Sequence, residues 1–261
     1  MEIIKTMLIS IITVCYNSKK YICSAIESVL AQTYPNIEYI VIDGASKDNT
    51  IDVIKKYEPK FNGRMKWVSE PDKGIYDAMN KGILMATGEI IGILNSDDFY
   101  IDNSVIADIV SVFESKKTDS VFADIYCVDD QDTQKITRIG TYKNLKRIDF
   151  YLGWLPGHPG FFVKKEIYDK YGLFDLSYKL AADYDLLLRF LFKNSISSFH
   201  LKRFILKMRA GGASQSMKNF KKIKKEEILI AFKNFKILFI FPFSFKLFRK
   251  LMYKVNTKIN G

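Results

Sequence analysis

Cysteine is scarce in this chain: 261 residues hold three, Cys15, Cys23 and Cys127. None sits in a C-x-x-C pair, and only His158 and His200 could join them. A secreted disulfide scaffold is thereby excluded, and a structural zinc site is not expected. Glycine-rich phosphate cradles are missing as well. Neither G-x-G-x-x-G nor G-x-x-x-x-G-K-[ST] occurs, so nothing supports a dinucleotide fold or a P-loop. Acids are nearly absent from one region. Residues 201–261 carry 16 Lys+Arg but only Glu226 and Glu227, a net +14, whereas residues 1–200 sum to −3. The basic character therefore belongs to the last quarter, which suggests a tail that meets an anionic surface. No signal peptide is read at the start, because Met1 to Lys5 includes an acid and Met7 to Tyr16 reads as a strand. We expect a cytosolic, reducing location.

What the chain does have is a core. Hydrophobic residues make up 48%, which excludes wholesale disorder. Leu8 to Val14 is a continuous, β-branched run, as in a strand buried on both faces. Tyr21 to Gln32 then places Ile22, Ala25, Ile26, Val29 and Leu30 at helical spacing. The alternation repeats: strand Ile37 to Ile42, a helix opened by Lys47 to Thr50, strand Met65 to Ser69, helix Ile75 to Ala86, strand Glu89 to Leu94. This order predicts an α/β domain with a largely parallel sheet. The second half is less regular. Strands are expected over Val121 to Val128, Thr133 to Tyr142 and Phe161 to Val163, and helices from Lys165 and over about Asp183 to Phe192.

Polar residues fall where each early strand ends: Tyr16-Asn17, Asp43, Glu70-Pro71-Asp72 and Asp97-Asp98. In open α/β sheets these ends share one edge, where ligands bind. Several carboxylates on one crevice are costly unless a cation or donor groups compensate. If phosphate binds there, Mg²⁺ or Mn²⁺ is the natural neutraliser. The plain alternative is that the acids cap the helices that follow.

Five segments, in order, resemble the family 2 glycosyltransferases, inverting GT-A enzymes that use nucleotide-diphosphate sugars. They are Ile11 to Asn17, Val41 to Thr50, Ser69 to Gly82, Gly88 to Asp98, and Ala182-Asp183-Tyr184-Asp185-Leu186 with Arg189. The resemblance implies a catalytic domain over 1–215, with a nucleotide-binding half over about 1–100 and an acceptor half over about 101–215. It implies that Thr13, Tyr16 and Asn17 line the nucleoside pocket and that Asp43 accepts a base N–H, usually of uracil. Asp72 and Asn80 would shape the pocket around ribose and sugar. Asp97 and Asp98 match the DXD-like signature, with Asn95 where many members have an acid. On that match Asp98 would hold Mn²⁺ or Mg²⁺ and Asp97 would lie nearer ribose or sugar.

Asp183 matches the family's catalytic aspartate, with Ala182 in place of the usual Glu. An inverting transfer needs one carboxylate to take the acceptor hydroxyl's proton. Capping of the following helix is the other reading of Asp183. Asp185 is read equally as the i,i+4 partner of Arg189. His158 is a contact at the mouth of the site or a structural hydrogen bond; His200 reads as structural. Arg209-Ala210-Gly211-Gly212-Ala213-Ser214 resembles a segment of polysaccharide-building members and suits a lid over pyrophosphate; an ordinary loop is the other reading.

Residues 216–261 read as a basic amphipathic tail. Ile237 to Phe245 lacks charge but is far short of the roughly 20 residues that a spanning helix needs. Two helices lying on an anionic leaflet are expected. A helical pair packed on the enzyme, or on a second copy in a homo-oligomer, is the alternative. The expected activity is transfer from a nucleotide-diphosphate sugar, a UDP-sugar above others, to a saccharide or lipid-linked saccharide, at the inner face of the cell membrane. A nucleotidyltransferase fits less well, because Val14 to Ser18 stands where its glycine-rich loop would be. Nucleic acid is not an expected partner, since the body is net negative and carries no recognition motif.

Overall fold

The computed structural model describes residues 6–211 and 219–236. Its first half alternates as the pattern predicts: β1 (Ile9–Cys15), α1 (Ile22–Leu30), β2 (Ile37–Asp43), α2 (Thr50–Tyr57), β3 (Met65–Ser69), α3 (Ile75–Met85), β4 (Ile90–Ile93). The chain continues through β5 (Phe99–Tyr100), α4 (Val105–Lys116), β6 (Ser120–Val128), β7 (Ile136–Gly140), α5 (Arg147–Tyr151), β8 (Phe161–Lys164) and α6 (Lys165–Tyr171). Then come α7 (Ala182–Leu187) with a π-helical turn over Leu188–Lys193, β9 (Ser198–Arg209) and α8 (Phe220–Phe235).

One sheet carries all nine strands in the order β3-β2-β1-β4-β8-β6-β9-β5, with β7 paired to β6. The strands β3, β2, β1 and β4 are mutually parallel. Strand β8 runs against both β4 and β6, and β9 runs with β6. The carboxyl ends of β1, β2, β3, β4, β6 and β9 therefore point the same way. The sheet crosses residue 100 without a break, so the two expected halves share one body.

Both faces are covered, which is why β1 and β2 are buried at every position. Period-two alternation sends Ile9, Ile11 and Cys15 toward α1, α2 and α4, and Ile12 and Val14 toward α3, α6, α7 and α8. Helix α3 packs close: a Cβ at Gly82 would come 2.4 Å from Ile12 Cγ2. Helix α4 had no counterpart among the expected elements. Its buried positions Val105, Ile106, Ile109, Val110 and Phe113 nevertheless show helical spacing.

The tail expectation changes over its first helix. Ile230, Ala231 and Phe235 of α8 are buried, and the Phe235 ring lies 4.8 Å from Phe192 and 5.2 Å from Tyr151. Helix α8 therefore packs on the body, because its apolar residues complete that face of the core. The second expected helix, within 237–261, lies outside the described residues. So do Gly212, Ala213 and Ser214 of the expected lid.

Candidate active site

Loops after β1 and β2 are tied by Asn17. Its N–H donates to Ser46 Oγ (2.7 Å), and its Oδ1 accepts from the Lys47 N–H (2.8 Å). The φ of +50° at Asn17 is the left-handed conformation that asparagine tolerates. Asp48 adds a second tie, accepting the N–H groups of Lys19 (3.1 Å) and Thr50 (3.0 Å). Tyr16 keeps its ring 59% exposed beside this junction. Gly44 brings the backbone in close: a Cβ there would lie 2.4 Å from Asp72 Oδ2 and 3.5 Å from Tyr16. Asp72 in turn accepts the Gly74 N–H (2.8 Å) just before α3. Three strand ends thus form one surface with a flat aromatic face, suited to a nucleobase and ribose.

Asp43 lies beneath that surface, fully buried. Its carboxylate accepts from the Ser46 N–H (2.9 Å), the Ser46 and Ser69 hydroxyls, and distantly from Cys15 Sγ. A base N–H reaches Asp43 only by displacing one of these donors. Thr13 does not line the pocket as expected. It is fully buried on the α1 side of the sheet, and its hydroxyl accepts from Tyr39 (3.0 Å). Asn80 is also reassigned. Its Nδ2 donates to the Phe174 carbonyl (3.0 Å) and its Oδ1 accepts the Phe174 N–H (2.9 Å), so it clamps backbone rather than sugar.

The acidic signature follows β4. Asp98 is 1% exposed; one oxygen accepts from Asn95 Nδ2 (3.1 Å) and the other from the Arg209 N–H (3.2 Å). Burial and the neighbouring Asp97 charge push its carboxyl well above the usual range. Asp97 is half-buried, and no described side chain donates to its carboxylate. Burial raises its pKa too, against the pull of Arg209. Arg209, at the end of β9, donates from Nη1 to the Asp97 carbonyl (2.6 Å) and from Nη2 to Ser24 Oγ (3.2 Å). Its guanidinium sits over Phe99 and Tyr21. Arg209 is therefore joined to the acidic signature.

Mg²⁺ and Mn²⁺ bind through one or two accessible carboxylates plus phosphate oxygens. Asp97 is the more accessible of the two acids, whereas each oxygen of Asp98 already accepts one hydrogen bond below the surface. Among the described residues no three His, Cys, Asp or Glu side chains cluster as ligands, so the remaining ligands would come from substrate.

The candidate base sits on the α3 side. Asp183, half-buried in the first turn of α7, accepts from the Tyr76 hydroxyl (2.9 Å). Tyr76 lies in the first turn of α3, next to the Asp72 loop, so Asp183 faces the same sheet edge. Burial and the Asp183 charge push the Tyr76 pKa up, which keeps this hydroxyl a donor. The Tyr76 ring stacks on Phe174 at 5.3 Å, and Phe174 meets His158 edge-on at the same separation. His158 is buried; burial lowers its pKa while the Asp183 charge opposes the shift. His158 therefore belongs to the base cluster. Asp185 does pair with Arg189 (3.4 Å), and His200 bonds Asp124 (2.8 Å) inside the sheet, both structural as expected.

Two residues escaped the sequence reading. Tyr76 lay inside a recognised segment without a role. Glu226 was counted only as a rare acid, yet its carboxylate accepts the N–H groups of Lys179 (3.0 Å), Leu180 (2.9 Å) and Ala181 (3.0 Å), directly before α7. Its isolation among lysines was the one available signal.

Comparison with known proteins identifies the family. The profile described as "Glycosyl transferase family 2" matches residues 10–172. An uncharacterized glycosyltransferase of Mycobacterium tuberculosis is 32% identical over 183 residues, 69% of this chain and 68% of that protein. A "PGL/p-HBAD biosynthesis glycosyltransferase" of Mycobacterium bovis is 28% identical over 181 residues, with the same shares. Among solved structures, S. aureus TarS 1-349 in complex with UDP-GlcNAc superposes with a TM-score of 0.70 at 20% identity, covering 86% of this chain and 66% of that one. The mannosyltransferase PcManGT of Pyrobaculum calidifontis, in complex with GDP-Man and Mn2+, gives 0.64 at 18% identity, covering 87% and 64%. This chain spans 39% of the longer TarS chain. These structures share the GT-A fold, and the sequence matches go further: the chain belongs to glycosyl transferase family 2.

Proposed function

We propose that this protein is an inverting glycosyltransferase that moves a sugar from a UDP-sugar to a saccharide or lipid-linked saccharide in cell-surface polysaccharide synthesis. The Tyr76–Asp183 pair carries this reading, because it holds a carboxylate on the sheet edge that bears the nucleotide surface. The UDP-GlcNAc complex of TarS and the biosynthetic glycosyltransferase of Mycobacterium bovis support the donor and acceptor classes.

In this mechanism Tyr16, Gly44 and Asp72 hold the nucleoside, and Asp43 takes a base N–H. Arg209 meets the pyrophosphate beside Asp97. The acceptor hydroxyl oxygen bonds to the anomeric carbon as the bond to the diphosphate breaks, and its proton passes to Asp183. Tyr76 orients that carboxylate, and His158 borders it. A divalent ion held by Asp97 would offset charge on the departing nucleotide diphosphate.

We place the enzyme at the inner face of the cell membrane, with the basic residues beyond α8 on anionic lipid. Residues 237–261 hold five Lys+Arg and no acid, which supports this, and no described helix is long and apolar enough to cross a bilayer. Binding to phosphatidylglycerol vesicles that weakens in salt tests it; no binding favours a homo-oligomer.

The test of function is a panel of UDP- and GDP-sugars with Mn²⁺, scored by thermal shift and slow donor hydrolysis. A good donor should stabilise the fold by mass action. Asp183→Asn should keep UDP binding and lose about 10²–10⁴-fold in turnover. Near-normal turnover of Asp183→Asn would refute the base.

A further inference from the structure

The residue that sets the Asp183 loop comes from a helix outside the matched family region. Helix α7 begins at Ala182 and has no side-chain cap of its own, since Ala181 and Ala182 carry no polar atom. The N–H groups of Lys179, Leu180 and Ala181 converge instead on both oxygens of Glu226. Three bonds from successive amides to one carboxylate define a loop more tightly than a single cap, and charge-assisted bonds are the strong ones. Asp183 follows two residues later, with its own oxygen held by Tyr76.

Helix α8 touches the same stretch on either side of that contact. Lys233 Nζ lies 4.0 Å from Asp175 and 3.9 Å from Asp185. Phe235, packed on Phe192 and Tyr151, anchors the far end of the helix. The matched family region ends at residue 172, so this support falls outside it.

We propose that Glu226 is a positioning residue for the base, which makes α8 part of the transfer machinery rather than only a membrane tail. This rests on the reading of Asp183 as the base. A bare stability role would lower donor binding and turnover together. A positioning role lowers turnover alone, because Glu226 holds the amides before α7 and contacts none of Tyr16, Gly44 and Asp72, from which the nucleotide surface is built.

The experiment compares the full chain with Glu226→Gln, Glu226→Ala and Asp183→Asn. Glu226→Gln keeps the shape and loses one acceptor oxygen and the charge. Three quantities are read: UDP affinity by calorimetry, kcat and KM for the UDP-sugar that the panel selects, and amide exchange over residues 179–181. Both Glu226 variants should bind UDP within about twofold of the unaltered chain, exchange faster at 179–181, and lose about 10–100-fold in kcat, the scale of an ångström-level misplacement. Unchanged kcat in Glu226→Gln and Glu226→Ala, with Asp183→Asn inactive, would overturn this proposal alone. An equal fall in UDP affinity and kcat would overturn it in favour of a stability role. Normal turnover by Asp183→Asn would instead remove the base reading, and the positioning role with it.

Discussion

Asn80 offers the sharpest test of how the site is braced. Its side chain is 8% exposed and holds both polar groups of one residue, Phe174, at 2.9 and 3.0 Å. Phe174 is itself 3% exposed, so water is a poor substitute. Asn80→Ala strands one donor and one acceptor. Each stranded buried group costs about 1–3 kcal/mol, so the pair should cost about 2–6 kcal/mol. For a chain of this size that lowers the melting temperature by about 5–15 °C. Asn80→Asp is the discriminating variant. It can still accept the Phe174 N–H, but it sets a carboxylate oxygen against the Phe174 carbonyl. Its loss should match or exceed that of alanine above pH 5 or so, and shrink once the carboxyl is protonated and can donate. Urea denaturation followed by circular dichroism measures both. The consequence should reach the base through the Phe174–Tyr76 stack, so turnover should fall more than UDP affinity at temperatures where the variant is folded. A loss below about 1 kcal/mol in Asn80→Ala would refute the clamp.

Two further outcomes follow from buried groups. Mn²⁺ should tighten UDP binding by about tenfold or more, equivalent to about 1.4 kcal/mol. Asp97→Asn should abolish that gain and Asp98→Asn should keep it, because the asparagine oxygen can still accept the Arg209 N–H while its NH2 meets Asn95 turned to present Oδ1; calorimetry showing the opposite pattern would return the metal to Asp98. His158 is buried with a pKa held below its ordinary 6.5, so the unfolded chain takes up a proton there that the folded chain refuses. Stability from this residue is therefore present above pH 6.5 and is lost as pH falls toward the depressed value. The stability advantage of the unaltered chain over His158→Gln should shrink between about pH 7.5 and about pH 5.5, and an advantage that grows with acidity would refute it.

The first half was legible because period and chemistry agree there. Strands β1 to β4 are β-branched runs broken by polar turns, and a parallel sheet leaves those turns on one edge. Tyr16, Asp72 and Arg209 could be placed on that edge from the sequence pattern and the family resemblance. Thr13 and Asn80 could not. In β1, successive side chains alternate between faces, so Thr13 sits in a recognised segment yet points into the core beside Tyr39. Asn80 lies on the inner side of α3, where its partner is a backbone segment 94 residues away. Such partners depend on tertiary contact and leave no local trace. Which of Asp97 and Asp98 is the more covered was not legible for the same reason. Adjacent residues in a turn point to different sides, and only the arrival of β9, with the Arg209 N–H, decides which acid is covered.

That arrival also explains why the last quarter cannot be set aside as a tail. Arg209 closes β9 against the acidic signature, and seventeen positions later Glu226 gathers the amides before the candidate base. One stretch of chain therefore contacts both the acidic signature and the loop before the candidate base. A net charge of +14 obscures this, because the average hides the single acid that matters. A lysine-rich helix would ordinarily be a solvated face. Here Glu226 stands four residues before the buried Ile230, on a side that packs against the body. An acid on the inward side of a basic helix is retained at a cost unless donors meet it. Three backbone N–H groups do, and they belong to the loop that leads to the candidate base.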